Sequence, residues 1–185
     1  MFGKLIFYDL LLGCFISGGR EGTVYLWDLQ RTIPLRIYSG HESDINQIRF
    51  HPNCNYLATA SADSAIILWD INQIRQVRMF VGHRAPVTTI QFSACGKYLV
   101  SGGEDGSVRL WDISYGKCIT ELMDDDDGGG LVIRNSNNQT GLYHRNYKKK
   151  SIQSIAFGPQ DRLLAWCSAT VPAAVNIWRN SIYEP

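Results

Sequence analysis

Gly40-His41 leads to Trp69-Asp70, and Gly82-His83 leads to Trp111-Asp112; these four dipeptides decide how the chain is read. Each tryptophan follows its histidine by 28 positions, and the second pair repeats the first after 42. An upstream Trp27-Asp28 lies another 42 positions back. Dipeptides held in this register mark an internal repeat, and a period of this size is the mark of a repeat architecture.

Between the dipeptides the residues alternate between strand and turn chemistry. In the second unit Ile45, Ile48 and Phe50 predict a short strand, and His51-Pro52-Asn53-Cys54-Asn55 a turn. Tyr56 to Ala60 and Ala65 to Trp69 predict two further strands around Ala62-Asp63-Ser64, and Gln76 to Phe80 a fourth. The third unit repeats the plan. Val87, Ile90 and Phe92 open it, Lys97 to Ser101 pairs back, Asp105-Gly106 turns, and Ser107 to Trp111 and Cys118 to Leu122 follow. Such spacing predicts an all-β chain of antiparallel meanders.

The outer units are weaker. Phe15 to Gly19 and Thr23 to Trp27 match the second and third strands, but residues 1–14 read as truncated or divergent. Ile152, Ile155 and Phe157, then Val175 to Trp178, reproduce a last unit in which Arg179 replaces the aspartate. Units are therefore expected near 1–38, 39–80, 81–122 and 151–185 of a single segment covering 1–185. Residues 123–150 form a low-complexity insert, with Asp124 to Asp127, Gly128 to Gly130 and Lys148 to Lys150, whose composition predicts loose order.

Composition narrows the class. The chain has 185 residues, 45% apolar and 11% aromatic, as expected of a β-rich globular segment. A formal charge of +1 gives no reason to expect direct nucleic-acid or membrane-surface binding. Cys14, Cys54, Cys95, Cys118 and Cys167 are odd in number and scattered, which argues against a disulfide framework or a zinc site and for a reducing compartment. The apolar stretch from Leu5 to Ile16 is too short to span a bilayer and lacks a basic leader, so a soluble intracellular protein is expected.

Each middle unit carries four polar groups at matching positions: His41, Thr59, Asp63 and Trp69, then His83, Ser101, Asp105 and Trp111. His, Asp and a hydroxyl suggest a catalytic triad. Periodicity argues otherwise, because catalytic groups occur once per site and these recur once per repeat. A buried imidazole must satisfy both nitrogens; Asp can accept from one, a hydroxyl can pair with the other, and the indole N–H can donate to that hydroxyl. No phosphate loop, G-x-S-x-G elbow or metal-spaced His/Cys cluster is present. No catalytic, cofactor-binding or metal-binding residue is therefore assigned.

Gly-His, Asp and Trp-Asp at this period resemble the WD-repeat family, whose fold is a β-propeller of four-stranded blades. The resemblance implies a hydrogen-bonded tetrad at the four positions, and units stitched by shared strands. It covers residues 15–122 well and 151–180 weakly. Pro34 to His41, Arg49 to Asn53 and Asn55 to Thr59 are similar to the WD-repeat subunits of general transcription complexes of the TFIID and SAGA type. So are Tyr147 to Lys150, Ile152 to Phe157 and Leu163-Leu164-Ala165 of the last unit, which in those subunits also follows a long insert. That likeness implies a nuclear scaffold with histone-fold subunits as partners. An adaptor or substrate receptor in another complex is the alternative. Four units fill part of a ring that usually has seven, so a piece of a longer ring, a divergent gene or an open arc is expected. By repeat position Arg20, Glu42, Asp44, Arg84 and Glu104 should line the rim beside the central channel. The acidic run could hold a cation or a basic partner, Lys148 to Lys150 could assist nuclear import, and Asn138-Gln139-Thr140 is a formal glycosylation sequon. A solvated loop is the simpler reading of the acidic run, three lysines are a poor import signal, and the sequon matters only in a secreted protein.

Overall fold

In the computed structural model, residues 6–9, 13–124, 131–135, 151–168 and 175–179 are described. They form four antiparallel sheets in chain order. The first holds β1 (Ile6–Asp9), β2 (Cys14–Gly18), β3 (Thr23–Asp28) and β4 (Arg36–Ser39). The second holds β5 (Ile45–Phe50), β6 (Tyr56–Ser61), β7 (Ala65–Asp70) and β8 (Arg75–Val81). The third holds β9 (Val87–Phe92), β10 (Tyr98–Gly103), β11 (Ser107–Asp112), β12 (Lys117–Asp124) and β13 (Leu131–Asn135). The fourth holds β14 (Ile152–Phe157), β15 (Leu163–Ser168) and β16 (Val175–Arg179), with a short 3-10 turn at Pro159–Asp161. Together they make a partial propeller that does not close on itself.

Successive sheets stack face to face and enclose three cores. Ile16, Val24 and Tyr38 meet Ile48, Leu57 and Trp69 between the first two sheets. Ala58, Ile66 and Phe80 meet Ile90, Leu99 and Trp111 between the next two. Val100, Leu110 and Leu122 meet Ile152, Ile155 and Trp166 between the last two. A single sheet cannot bury both faces, so each depends on its neighbours. Each fully buried Leu, Ile or Phe contributes about 1.5–3 kcal/mol. Gly102 permits the close approach of the third and fourth sheets, since a Cβ there would sit 2.5 Å from the Ile152 side chain.

The turns repeat as well. Gly22, Ser64 and Gly106 occupy one position in three successive sheets, with φ of 64°, 68° and 74°. The hairpin expected at Asp105-Gly106 thus uses the left-handed conformation that glycine tolerates best, and Ser64 adopts it at some steric cost. A bulge recurs on the first strand pair of the last three sheets, at Ile45/Gln47, Gly102/Gly103 and Ile152/Ser154.

Two departures from the four-stranded plan stand out. The insert is not uniformly without structure, because Leu131–Asn135 pairs antiparallel with β12. Leu131-Val132-Ile133 is an apolar, β-branched run inside a polar segment, and β12 offers it an edge. The last sheet has three strands among the described residues. Most of the acidic run, the lysine run, the sequon and residues 1–5 lie outside the described residues.

Ile90→Ala, at a fully buried position, should lower the unfolding free energy by about 2–5 kcal/mol. Ile177→Ala, at a position 68% exposed, should change it by less than about 0.5 kcal/mol. Urea unfolding midpoints of the two variants measure the difference; equal costs would contradict the three-core arrangement.

Candidate functional site

The residues singled out by the repeat come together in two tetrads. In the second sheet the His41 Nδ1 lies 2.8 Å from Asp63 Oδ2, and Nε2 lies 2.7 Å from Thr59 Oγ1. The Trp69 indole N–H donates to the same Thr59 oxygen at 2.9 Å. In the third sheet His83 Nδ1 sits 3.1 Å from both Asp105 oxygens, and Nε2 sits 2.7 Å from Ser101 Oγ. Trp111 donates to Ser101 at 2.8 Å. The sequence places these atoms together by simple means. The histidine lies in the loop entering the sheet, the hydroxyl on its second strand, the aspartate in the following turn, and the tryptophan on its third strand.

Hydrogen-bond logic orders the protons. The indole donates to the hydroxyl, which donates to Nε2, and Nδ1–H donates to the carboxylate. The carboxylate also accepts backbone N–H groups: Glu42 at 3.0 Å and Ala65 at 2.9 Å on Asp63, Arg84 at 2.9 Å and Ser107 at 3.1 Å on Asp105. The Ser107 hydroxyl adds a further donor to Asp105 at 2.8 Å. Burial pushes the Asp105 carboxyl up. The bonds from His83, Arg84 and Ser107 outweigh burial and hold it well below the usual carboxylate range. Asp63 is lowered by the same balance, its donors being Ala65, Glu42 and His41. Both imidazoles are buried, so each tetrad is fully satisfied and closed to substrate. This geometry fastens a loop to a sheet.

Among the described residues, the other two sheets do not carry the full set. In the first, Trp27 donates to Ser17 at 2.8 Å, which is the inner half of the tetrad. In the fourth, Trp166 pairs across from Asn176 at the ladder position where Ser101 faces Arg109. A buried indole thus replaces the small hydroxyl, and apolar packing replaces the polar fastening.

The five rim candidates gather at the end of the sheets that carries the tetrads. Glu42 and Asp44 lie in the β4–β5 loop and Arg84 in the β8–β9 loop; Arg20 and Glu104 lie in the turns after β2 and β10. All are exposed except Asp44, which is half-buried. The backbones of four of them, Glu42, Asp44, Arg84 and Glu104, are hydrogen-bonded. Asp63 and Asp105 accept from Glu42 and Arg84, Ala62 N–H donates to Asp44, and Glu104 N–H donates to Pro86.

Sequence reasoning missed the bonds that join sheet to sheet at the opposite end. Tyr38 donates to the Ile71 carbonyl at 3.2 Å, and burial pushes its phenol up to about 12. Arg78 donates to the Ile113 and Ser114 carbonyls, His51 Nε2 donates to the Gly96 carbonyl at 2.8 Å, and the Asp161 carboxylate accepts from Ala94 and Cys95. The 42-residue frame holds part of the signal, since Ile113 is the counterpart of Ile71. Arg109 and Glu121 form a second buried polar pair, 2.5 Å apart, where the second sheet has Ile67 and Met79. Among the described residues no group of three or more His, Cys, Asp or Glu is gathered to hold a metal ion.

This architecture defines a class. Residues 32–70 and 74–112 each match the WD domain, G-beta repeat family, so the chain carries WD40 repeats, and these mark a protein-interaction scaffold. Each matched segment begins at or beside an outer strand and ends on the third strand of the next sheet, so one repeat spans two sheets. Proteins with such repeats are generally non-catalytic. The chain is 39% identical over 49 residues to transcription initiation factor TFIID subunit 5 of Caenorhabditis elegans, covering 26% of this chain and 8% of that protein. It is 42% identical over 50 residues to a guanine nucleotide-binding protein subunit beta of Oryza sativa subsp. indica, covering 26% and 13%. It is 36% identical over 51 residues to nucleoporin Nup43 of Mus musculus, covering 26% and 13%. The chain therefore spans a small part of the length of the relatives it matches.

Asp105→Asn leaves the fold but removes a charge-assisted acceptor, and should cost about 1–3 kcal/mol at neutral pH. A carboxylate whose folded pKa is depressed stabilises above its unfolded value of about 3.9, and that contribution fades as pH falls towards the folded pKa. Denaturant titrations from pH 7 to pH 3 should therefore show stability falling below about pH 5, with a shallower fall in Asp105→Asn. Equal slopes would remove Asp105 from the tetrad's energetics.

Proposed function

We propose that the chain belongs to a non-catalytic scaffold of a nuclear transcription complex of the TFIID or SAGA type, binding histone-fold subunits through its tetrad-side rim. The observation that carries the scaffold reading is the closed tetrad. His, Asp and the hydroxyl are spent on holding loops, so the chemistry left at that end is the exposed set Arg20, Glu42, Arg84 and Glu104, with Asp44 beside it. Charged side chains on firmly held loops suit recognition, because the scaffold supplies position and the side chains supply choice of partner.

The transcription assignment is supported by Pro34 to His41, Arg49 to Asn53 and Asn55 to Thr59, and by the likeness to the nematode TFIID subunit. A second reading draws on the guanine nucleotide-binding protein subunit beta, which the chain matches over a segment of similar size and identity. In it the same rim serves an adaptor outside the nucleus.

Affinity purification of the intact protein separates these readings. Recovery of histone-fold subunits supports the first; recovery of signalling proteins without them supports the second. Reversing charge at both Arg84→Glu and Glu104→Arg should weaken recovery of the direct partner roughly five- to tenfold, with melting temperature unchanged. Unchanged recovery would remove the rim from the interface.

A further inference from the structure

We propose that the outer edge of β8 is a docking site for an extended peptide strand from another protein. The reasoning starts from a comparison the molecule makes within itself. β8 and β12 are the outer strands of the first four-strand unit of their sheets, 42 residues apart. In the third sheet that edge is covered, since β13 pairs antiparallel with Thr120 through Asp124. In the second sheet β8 is the last strand among the described residues.

Exposure differs between the two edges. Glu121, beside β13, is 9% exposed. Its counterpart Met79 is 44% exposed and Val81 is 69% exposed. The polar residue is therefore buried and the apolar ones are open, which inverts the usual preference. An edge strand also presents a row of unpaired N–H and C=O groups, and a peptide adding as a new strand satisfies both features. β13 shows that the counterpart edge on β12 accepts an antiparallel strand, with Val132 opposite Met123, the counterpart of Val81.

The chemistry of the occupant can be read from β8. Shifting the β12–β13 pairing back by one repeat sets the new strand opposite Arg78, Met79, Phe80, Val81 and Gly82. Met79 and Val81 share a face and call for apolar, β-branched residues two positions apart. In an antiparallel strand the next residues run towards exposed Arg75, where an acidic side chain fits. A second copy of β8 fits less well, because self-pairing centred on the strand would set Arg78 against Arg78 and Arg75 against Val81; like charges directly opposite are destabilising. The occupant is thus an extended segment of pattern apolar-x-apolar followed four positions later by an acidic residue. This surface is separate from the tetrad-side rim and does not rest on it.

The probe is a capped, fluorescently labelled peptide Thr-Val-Thr-Val-Thr-Thr-Glu-Glu, whose last glutamate falls opposite Arg75, titrated into the intact chain. Anisotropy should saturate, and amide hydrogen exchange should slow across residues 75–81. Val81→Lys should weaken binding at least tenfold with an unchanged melting temperature, and replacing the two glutamates by lysines should also weaken it. Arg84→Glu with Glu104→Arg should leave peptide binding intact, which distinguishes this edge from the rim. Equal binding by Val81→Lys, or protection confined to other strands, would overturn the proposal. So would sedimentation showing the protein alone as a dimer that Val81→Lys dissociates, since a second copy would then own the edge.

Discussion

A buried imidazole with both nitrogens satisfied holds this structure together. Trp111 donates to Ser101, which pairs with His83, which pairs with Asp105, whose carboxylate gathers backbone N–H groups from the entering loop and its own turn. An unpaired polar group at such depth would cost about 1–3 kcal/mol, so each member needs all the others. The same chain runs from Trp69 through Thr59 and His41 to Asp63. Its effect reaches past one sheet, because the histidine sits on the segment that connects one sheet to the next.

The two ends of the stack are consequently fastened in different ways. At one end, tetrads and their backbone bonds fix the loops that carry Glu42, Asp44, Arg84 and Glu104. At the other, Tyr38, Arg78, His51 and Asp161 reach across to backbone groups of the neighbouring sheet. The interior between the ends is three apolar clusters, with the buried Arg109–Glu121 pair in the third sheet. The fourth sheet shows what happens when the tetrad is withdrawn: Trp166 fills the hydroxyl position, and apolar packing together with the Asp161 and Thr88 bonds to the third sheet holds it.

Most of this was legible in the chain because the repeat samples the same physics several times. His41 and His83, Thr59 and Ser101, Asp63 and Asp105 announce themselves by recurrence, and the strands between them follow from β-branched runs and turn residues. Residues used once carry no such signal. Asp161 looks like any surface acid until the 3-10 turn sets it beneath Ala94 and Cys95. Arg109 and Glu121 interrupt apolar positions, and only pairing across β11 and β12 explains them. β13 was hidden because Leu131-Val132-Ile133 sits in a polar insert, and a short apolar run becomes a strand only when an edge is offered. The rim residues were placed by repeat position, and the structure sets them at the tetrad end; what they bind is not encoded in backbone geometry.

The tautomer of His83 tests the central claim most directly. Nitrogen-15 spectra of the histidine side chains at neutral pH should show His83 with a protonated Nδ1, an unprotonated Nε2 and a slowly exchanging Nδ1 proton that is lost in Asp105→Ala. A His83 ring protonated on Nε2 instead, or one whose proton exchanges as freely as that of a surface histidine, would contradict the account.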